Sequence, residues 1–124
     1  GECGGYLYML EALTDFDGVR RPLLGLLPGE AVMGRKLASL GYRELTSCSE
    51  SLFGPAGTKL RGHEFHYSFL KNGPSGGNLF ASRDLRGVER PAGSVCGNLC
   101  GSYVHLHFAS NPAAAEALVR RLQA

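Results

Sequence analysis

Hydrophobic and polar positions alternate most cleanly in two stretches of the chain. Over Gly62 to Leu70, Phe65, Tyr67 and Phe69 fall on one side and Glu64, His66 and Ser68 on the other. Over Gly101 to Phe108, Val104, Leu106 and Phe108 share one side and Tyr103, His105 and His107 the other. A period of two is that of a β-strand, so both stretches are read as strands. The last segment has the helical period instead. Asn111 can cap it, Pro112 suits the first helical position, and Ala115, Leu118, Val119 and Leu122 form an apolar stripe. Glu116 and Arg120 stand four apart in the favourable order.

The remaining elements are shorter. Gly1 to Gly5 reads as a tight turn, and Tyr6 to Leu13 as a short buried helix. Thr14 to Arg21 is polar, with Asp17-Gly18 as a breaker. Leu23 to Leu27 reads as a strand ended by Pro28-Gly29. Leu37 to Leu45 reads as another, entering a Ser-rich connection over Thr46 to Ser51. Pro55 to Thr58 is a turn, Lys71 to Asn78 a mobile loop, Leu79 to Ser82 a short strand, and Asp84 to Gly97 irregular. No internal repeat or long linker divides the chain.

Size and composition narrow the field. The 124 residues suffice for one small domain, and an apolar fraction of 44% supports a modest core. The net charge is +2, with Lys and Arg scattered rather than gathered in the stripe a nucleic-acid binder needs. Tryptophan is absent, and no apolar run reaches the roughly 18–20 residues of a membrane span. The first residues are not a signal peptide, and four cysteines are too few for a disulfide scaffold. They are read as reduced thiols in a cytoplasm, with Cys48 and Cys96 as small, half-buried residues. Glycine is high, at 18 residues. The chain also opens two residues before its most informative cysteine, which suggests an excised piece of a longer protein.

That cysteine lies in Gly1-Glu2-Cys3-Gly4-Gly5, the G-x-C-G-G form of a nucleophile elbow. A helix starting just after such a turn aims its amides and positive dipole end at the sulfur, which favours thiolate. The Gly4 amide can donate to a developing oxyanion. The competing reading is a glycine-rich turn around an ordinary cysteine. A catalytic thiol also needs a base, and His105 on the polar face of its strand is the candidate. The competing reading there is a surface strand with two solvated histidines, His105 and His107. Glu64, on one face with His66, could orient an imidazole, or could belong to a locally satisfied strand. Cys96 and Cys100, four apart, with His105 and His107 downstream, allow a zinc site as an alternative, although the spacing is not that of the usual zinc knuckle.

Three segments in this order, GECGGYLYML, RGHEFHYS and SYVHLHFASNP, resemble the cobyrinic acid a,c-diamide synthases of cobalamin biosynthesis. MGRKLASLGYRE is similar to a further run of that family, and the match covers nearly the whole chain. Cobyric acid synthases share the elbow and a Tyr-x-His strand, but their other segments are less similar. The resemblance implies an α/β fold, here an α+β-like fragment: the C-terminal portion, over 1–124, of a class I glutamine amidotransferase domain. That domain is flavodoxin-like, with a central mixed sheet and flanking helices. The resemblance places the nucleophile on Cys3 and the general acid and base on His105. Where typical class I members carry a glutamate two residues after the histidine, this chain has His107, so the usual triad is broken; Glu64 is the suggested substitute.

The implied activity is the glutaminase part of an ATP-dependent ligase that amidates the a and c acetates of cobyrinic or hydrogenobyrinic acid. The partners implied are glutamine and, through a separate domain, a corrin acceptor, ATP and magnesium. No metal or cofactor is expected in this segment, because no G-x-x-x-x-G-K-[ST] phosphate loop occurs in it. The segment alone is therefore expected to make no diamide. Alternatives are cobyric acid synthase-like or nickel-tetrapyrrole amidation, a non-catalytic amidotransferase-like domain, and a zinc-stabilised module. Exposed sheet edges would favour self-association as a homodimer.

Overall fold

The computed structural model describes Gly1–Ala124 as a mixed α/β arrangement of two sheets and two α-helices. Helix α1 (Gly4–Met9) is followed by β1 (Ala12–Thr14), β2 (Arg20–Pro22) and β3 (Glu30–Val32). Then come the long strands β4 (Ser39–Ser47) and β5 (Lys59–His66) and the short β6 (Phe69–Leu70). The rest is β7 (Gly77–Arg83), β8 (Glu89–Cys96), β9 (Leu99–Gly101), β10 (His105–His107), a 3-10 turn (Phe108–Ser110) and helix α2 (Pro112–Gln123). The smaller sheet is mixed, in the order β2-β1-β3-β6, with β1 and β3 parallel. The larger runs β10-β5-β4-β7-β8-β9, and every pair in it is antiparallel.

The larger sheet must curl. Flat, six strands would hold the two edges about 24 Å apart. Yet β9 and β10 are its two edges, and only Ser102–Val104 joins them. Four Cα steps span at most about 14 Å. Curling brings Leu45, Leu60, Phe80 and Val104 together inside, with Leu79, Cys100 and Ala114 completing the cluster. A second cluster, Tyr6, Leu10, Leu27, Ala31 and Tyr103, joins α1 and the small sheet to the β9–β10 connection. Tyr6 also bonds Ser94 Oγ at 2.8 Å in the interior.

Several elements differ from the sequence reading, each for a physical reason. The helix ends at Met9 instead of Leu13, and Ala12–Thr14 is already strand. Leu23–Leu27 is not a strand. Its amides serve the end of α1: Leu24 N–H donates to Tyr8 O, Gly25 N–H to Leu10 O, and Leu26 and Leu27 N–H to Met9 O. Helix ends need such partners. The expected irregular segment holds β8, which Pro91 and Gly93 obscured. The expected strand Gly101 to Phe108 is two strands broken at Ser102–Val104, where the chain crosses between sheet edges. Gly62 to Leu70 likewise breaks at Tyr67-Ser68, and β6 joins the other sheet.

On β5 the polar face points inward. Leu60 and Gly62 are buried, so parity carries Glu64 and His66 to the same side, while Phe65 is 54% exposed. Leu40 and Tyr42 of β4 are exposed on that outer side, opposite Phe65 and His63. In α2, Ala114 is the buried residue, whereas Val119 and Leu122 are exposed, so the packed face is rotated from the expected stripe. Asn111 makes no side-chain cap; its amide donates to Lys59 O at 2.8 Å. Glu116 and Arg120 do pair, at 3.7 Å on an exposed surface. The edge strand β2 (Arg20, Arg21, Pro22) is fully exposed, and its two arginines and proline discourage pairing with another edge.

Gly62 sits directly opposite Leu106 of β10. A Cβ there would fall onto the His105 carbonyl and lie 2.6 Å from Val104 Cγ1. Gly62→Ala should therefore destabilise the fold by about 1–3 kcal/mol through overpacking. Chemical denaturation of both proteins measures it, and equal midpoints would refute the close approach.

Candidate active site

Cys3 is the only residue other than glycine with positive φ, at φ 48° and ψ −112°. Backbone held there costs on the order of 1–3 kcal/mol and persists only when its surroundings enforce it. The enforcement comes from the far end of the chain. Cys3 N–H donates to Ser102 O at 2.9 Å, and Ser102 N–H donates to Gly1 O at 3.1 Å. Gly1 N–H donates to Cys100 O at 2.7 Å. Glu2 and Ser102 thus form a parallel bridge, and the first residues run as a short strand into the elbow. Helix α1 starts at once, with Gly5 N–H on Glu2 O and Leu7 N–H on Cys3 O. As the first helical amide, that of Gly4 has no acceptor within the helix. A Cβ on Gly4 or Gly5 would meet no atom within 4 Å, so space beside the elbow is open.

The same tie brings the histidine strand to the elbow. Glu2 Oε1 accepts from Leu106 N–H at 3.0 Å, and Glu2 Oε2 lies 3.9 Å from His105 Nδ1. Both side chains are about two-fifths exposed. His105 is paired across the sheet with His63, and the rings stack at 4.9 Å between centroids with 13° between planes. His107 is on the same face as His105 and is exposed. Cys3, Glu2 and His105 therefore belong to one assembly. Glu2 stands inside the elbow motif, and its only signal in the sequence is an acidic residue just before Cys3.

Glu64 does not reach this assembly. It faces the opposite side of β5 from His63, and hence from His105. Its carboxylate accepts from Ser39 Oγ and lies 3.5 Å from both Arg43 Nη2 and His66 Nε2. The suggested role of orienting His105 is corrected accordingly: Glu64 is the hub of an inner polar cluster. His66 Nδ1 is 2.7 Å from Ser68 O, and its ring lies 3.6 Å over that of Tyr103. Tyr103 in turn bonds Ser68 Oγ at 3.0 Å. Burial pushes the Tyr103 phenol up to about 12, against the smaller opposite effect of Ser68. Burial also works to raise the Glu64 carboxyl, but the His66 and Ser39 contacts and the Arg43 charge more than offset it, so the net direction is down.

The other thiols stand apart. Cys48 and Cys96 are exposed rather than half-buried, and Cys100 is in the core, where burial pushes its thiol up. No three His, Cys, Asp or Glu side chains gather around a common point, so the zinc alternative finds no geometry. No helix is long and apolar enough to cross a membrane, which leaves strand-built spans unaddressed.

Two outcomes are expected. Cys3→Gly should raise stability by roughly 1 kcal/mol, since glycine adopts positive φ without strain; thermal unfolding tests it, and a lower midpoint would count against strain at Cys3. Glu64, with its lowered pKa, contributes stability above the usual carboxylate range that is lost as pH falls through the lowered value. Glu64→Gln should therefore lower the melting temperature at neutral pH, with the gap closing on acidification. A gap independent of pH would contradict the ionic role.

Residues 1–113 match the CobB/CobQ-like glutamine amidotransferase domain. The chain is 42% identical over 122 residues to the cobyrinate a,c-diamide synthase of Syntrophotalea carbinolica, covering 95% of this chain and 27% of that protein. It is 41% identical to the hydrogenobyrinate a,c-diamide synthase of Stutzerimonas stutzeri, over 96% of this chain and 26% of that protein. For the cobyrinate a,c-diamide synthase of Dehalococcoides mccartyi strain CBDB1 the identity is 38%, with 96% and 26% covered. The chain thus spans about a quarter of the length of these relatives, and in keeping with the elbow and the histidine strand it belongs to the CobB/CobQ-like glutamine amidotransferase family.

Proposed function

We propose that this chain, over 1–124, is the C-terminal portion of a glutamine amidotransferase domain and carries its glutaminase chemistry. The reading is supported above all by one observation: the strained Cys3 is hydrogen-bonded to Ser102, three residues before His105 on the adjoining strand. Cys3 Sγ attacks the side-chain carbonyl carbon of glutamine. The Gly4 amide donates to the oxyanion that forms. The C–N bond breaks as His105 passes a proton to nitrogen, and ammonia leaves. A glutamyl thioester remains on Cys3. Water then attacks it with His105 as base, and glutamate departs with the thiol restored.

The names of the relatives support a corrin acceptor. Those named for cobyrinate and hydrogenobyrinate stand at comparable identity, so the proposed acceptor is the a and c acetates of either corrin. That amidation requires carboxylate activation. ATP and magnesium are therefore assigned to a separate domain of a longer, cytoplasmic polypeptide, which takes up the ammonia.

In the full-length enzyme, Cys3→Ser should lower glutamine-dependent amidation by roughly 10³-fold or more. His105→Asn should lower it by roughly 10²–10⁴-fold. Both variants should keep amidation when an ammonium salt supplies the nitrogen. A glutamine-analogue electrophile should label Cys3 alone, as read by peptide mapping. Undiminished glutamine hydrolysis by Cys3→Ser, or labelling of another residue, would overturn the reading.

A further inference from the structure

The broken triad leaves a gap in the chemistry. A histidine that must take a proton on one ring nitrogen needs the other held in a fixed direction, and its transient positive charge needs a partner. His107 cannot supply a carboxylate, and Glu64 lies on the other side of β5. We infer that Glu2, the residue immediately before the nucleophile, is the positioning residue for His105. The inference rests on the glutaminase reading above.

Three features of the geometry carry it. Glu2 is held at both ends. Its backbone is bridged to Ser102, and its Oε1 accepts from Leu106 N–H at 3.0 Å. With Oε1 so occupied, Oε2 remains on the side of His105 Nδ1, 3.9 Å away. That distance is longer than a hydrogen bond, but it is the kind of separation that tightens once substrate is bound. The ring plane is also set, because His63 stacks on it nearly parallel. A proton on Nδ1 then faces Glu2, and Nε2 is left to exchange protons with the Cys3 thiol and the departing nitrogen. The elbow therefore delivers two groups from adjacent residues: the nucleophile, and the carboxylate that steadies its base.

Glutamine at position 2 separates this role from a structural one. Glu2→Gln keeps a carbonyl oxygen for Leu106 N–H and removes only the charge. Glutamine hydrolysis by the full-length enzyme is measured for wild type, Glu2→Gln, Glu2→Asp, Glu2→Ala and Cys3→Ser, with melting temperatures alongside. Glu2→Gln should lower kcat by roughly 10–100-fold with KM nearly unchanged and the melting temperature preserved. Glu2→Asp should recover part of the loss, and Glu2→Ala should lose the most. Full activity in Glu2→Gln with Cys3→Ser inactive would overturn this inference alone. Activity in Cys3→Ser would overturn the glutaminase reading beneath it.

Discussion

A single backbone hydrogen bond, from the Cys3 amide to the Ser102 carbonyl, holds the rest of the site in place. On one side it fixes the elbow in a conformation that the cysteine would not adopt alone. On the other it fixes the three-residue crossing between the edges of the curled sheet, and so the start of β10. It is reinforced by the reciprocal bond from Ser102 to Gly1 and by the Gly1 N–H on Cys100 O. Backbone–backbone bonds of this kind are each worth only about 1 kcal/mol net. Their effect is large because strain, sheet closure and the geometry of the candidate site all meet at the same few atoms.

Packing around this tie explains why glycine recurs near it. Gly62 lets β10 lie against β5, and Gly101 lets the ring of Tyr6 approach the backbone beside the bridge. Tyr6 then reaches Ser94 and meets Tyr103 edge to face at 5.8 Å. The aromatic pair joins α1 to the crossing, so the helix after Cys3 and the strand bearing His105 rest on one core. The inner polar cluster around Glu64 leans on the same Tyr103 through His66.

The parts of the candidate site were legible as contiguous motifs. Cys3, Gly4 and His105 stand in segments whose local pattern suits an elbow and a strand, and the structure ties those segments together. What was not legible depended on which face of a strand points inward. Alternation over Gly62 to Leu70 showed two faces but not their direction. The inward side is the polar one, because Glu64, His66, Ser39 and Arg43 satisfy one another. Alternation did place Glu64 beside His66, as found; its suggested link to His105 fails because the two lie on opposite faces of the sheet. Strand β8 was hidden because Pro91 and Gly93 interrupt its period, although its ladder with β7 runs through both their neighbours. The Leu-rich run before Pro28 carried a strand-like composition, but its amides were needed at the end of α1.

The bridge between Glu2 and Ser102 also has a meaning in time. Hairpins such as β4–β5 and β7–β8 join near neighbours, whereas a contact across a hundred residues carries a larger loop-closure cost. Local pairing is therefore favoured before this contact. Until it forms, nothing enforces the backbone strain at Cys3, and Glu2 and His105 are far apart. On the proposed glutaminase reading, the thiol is set for attack only once this contact is made, and a frayed chain holds an ordinary cysteine.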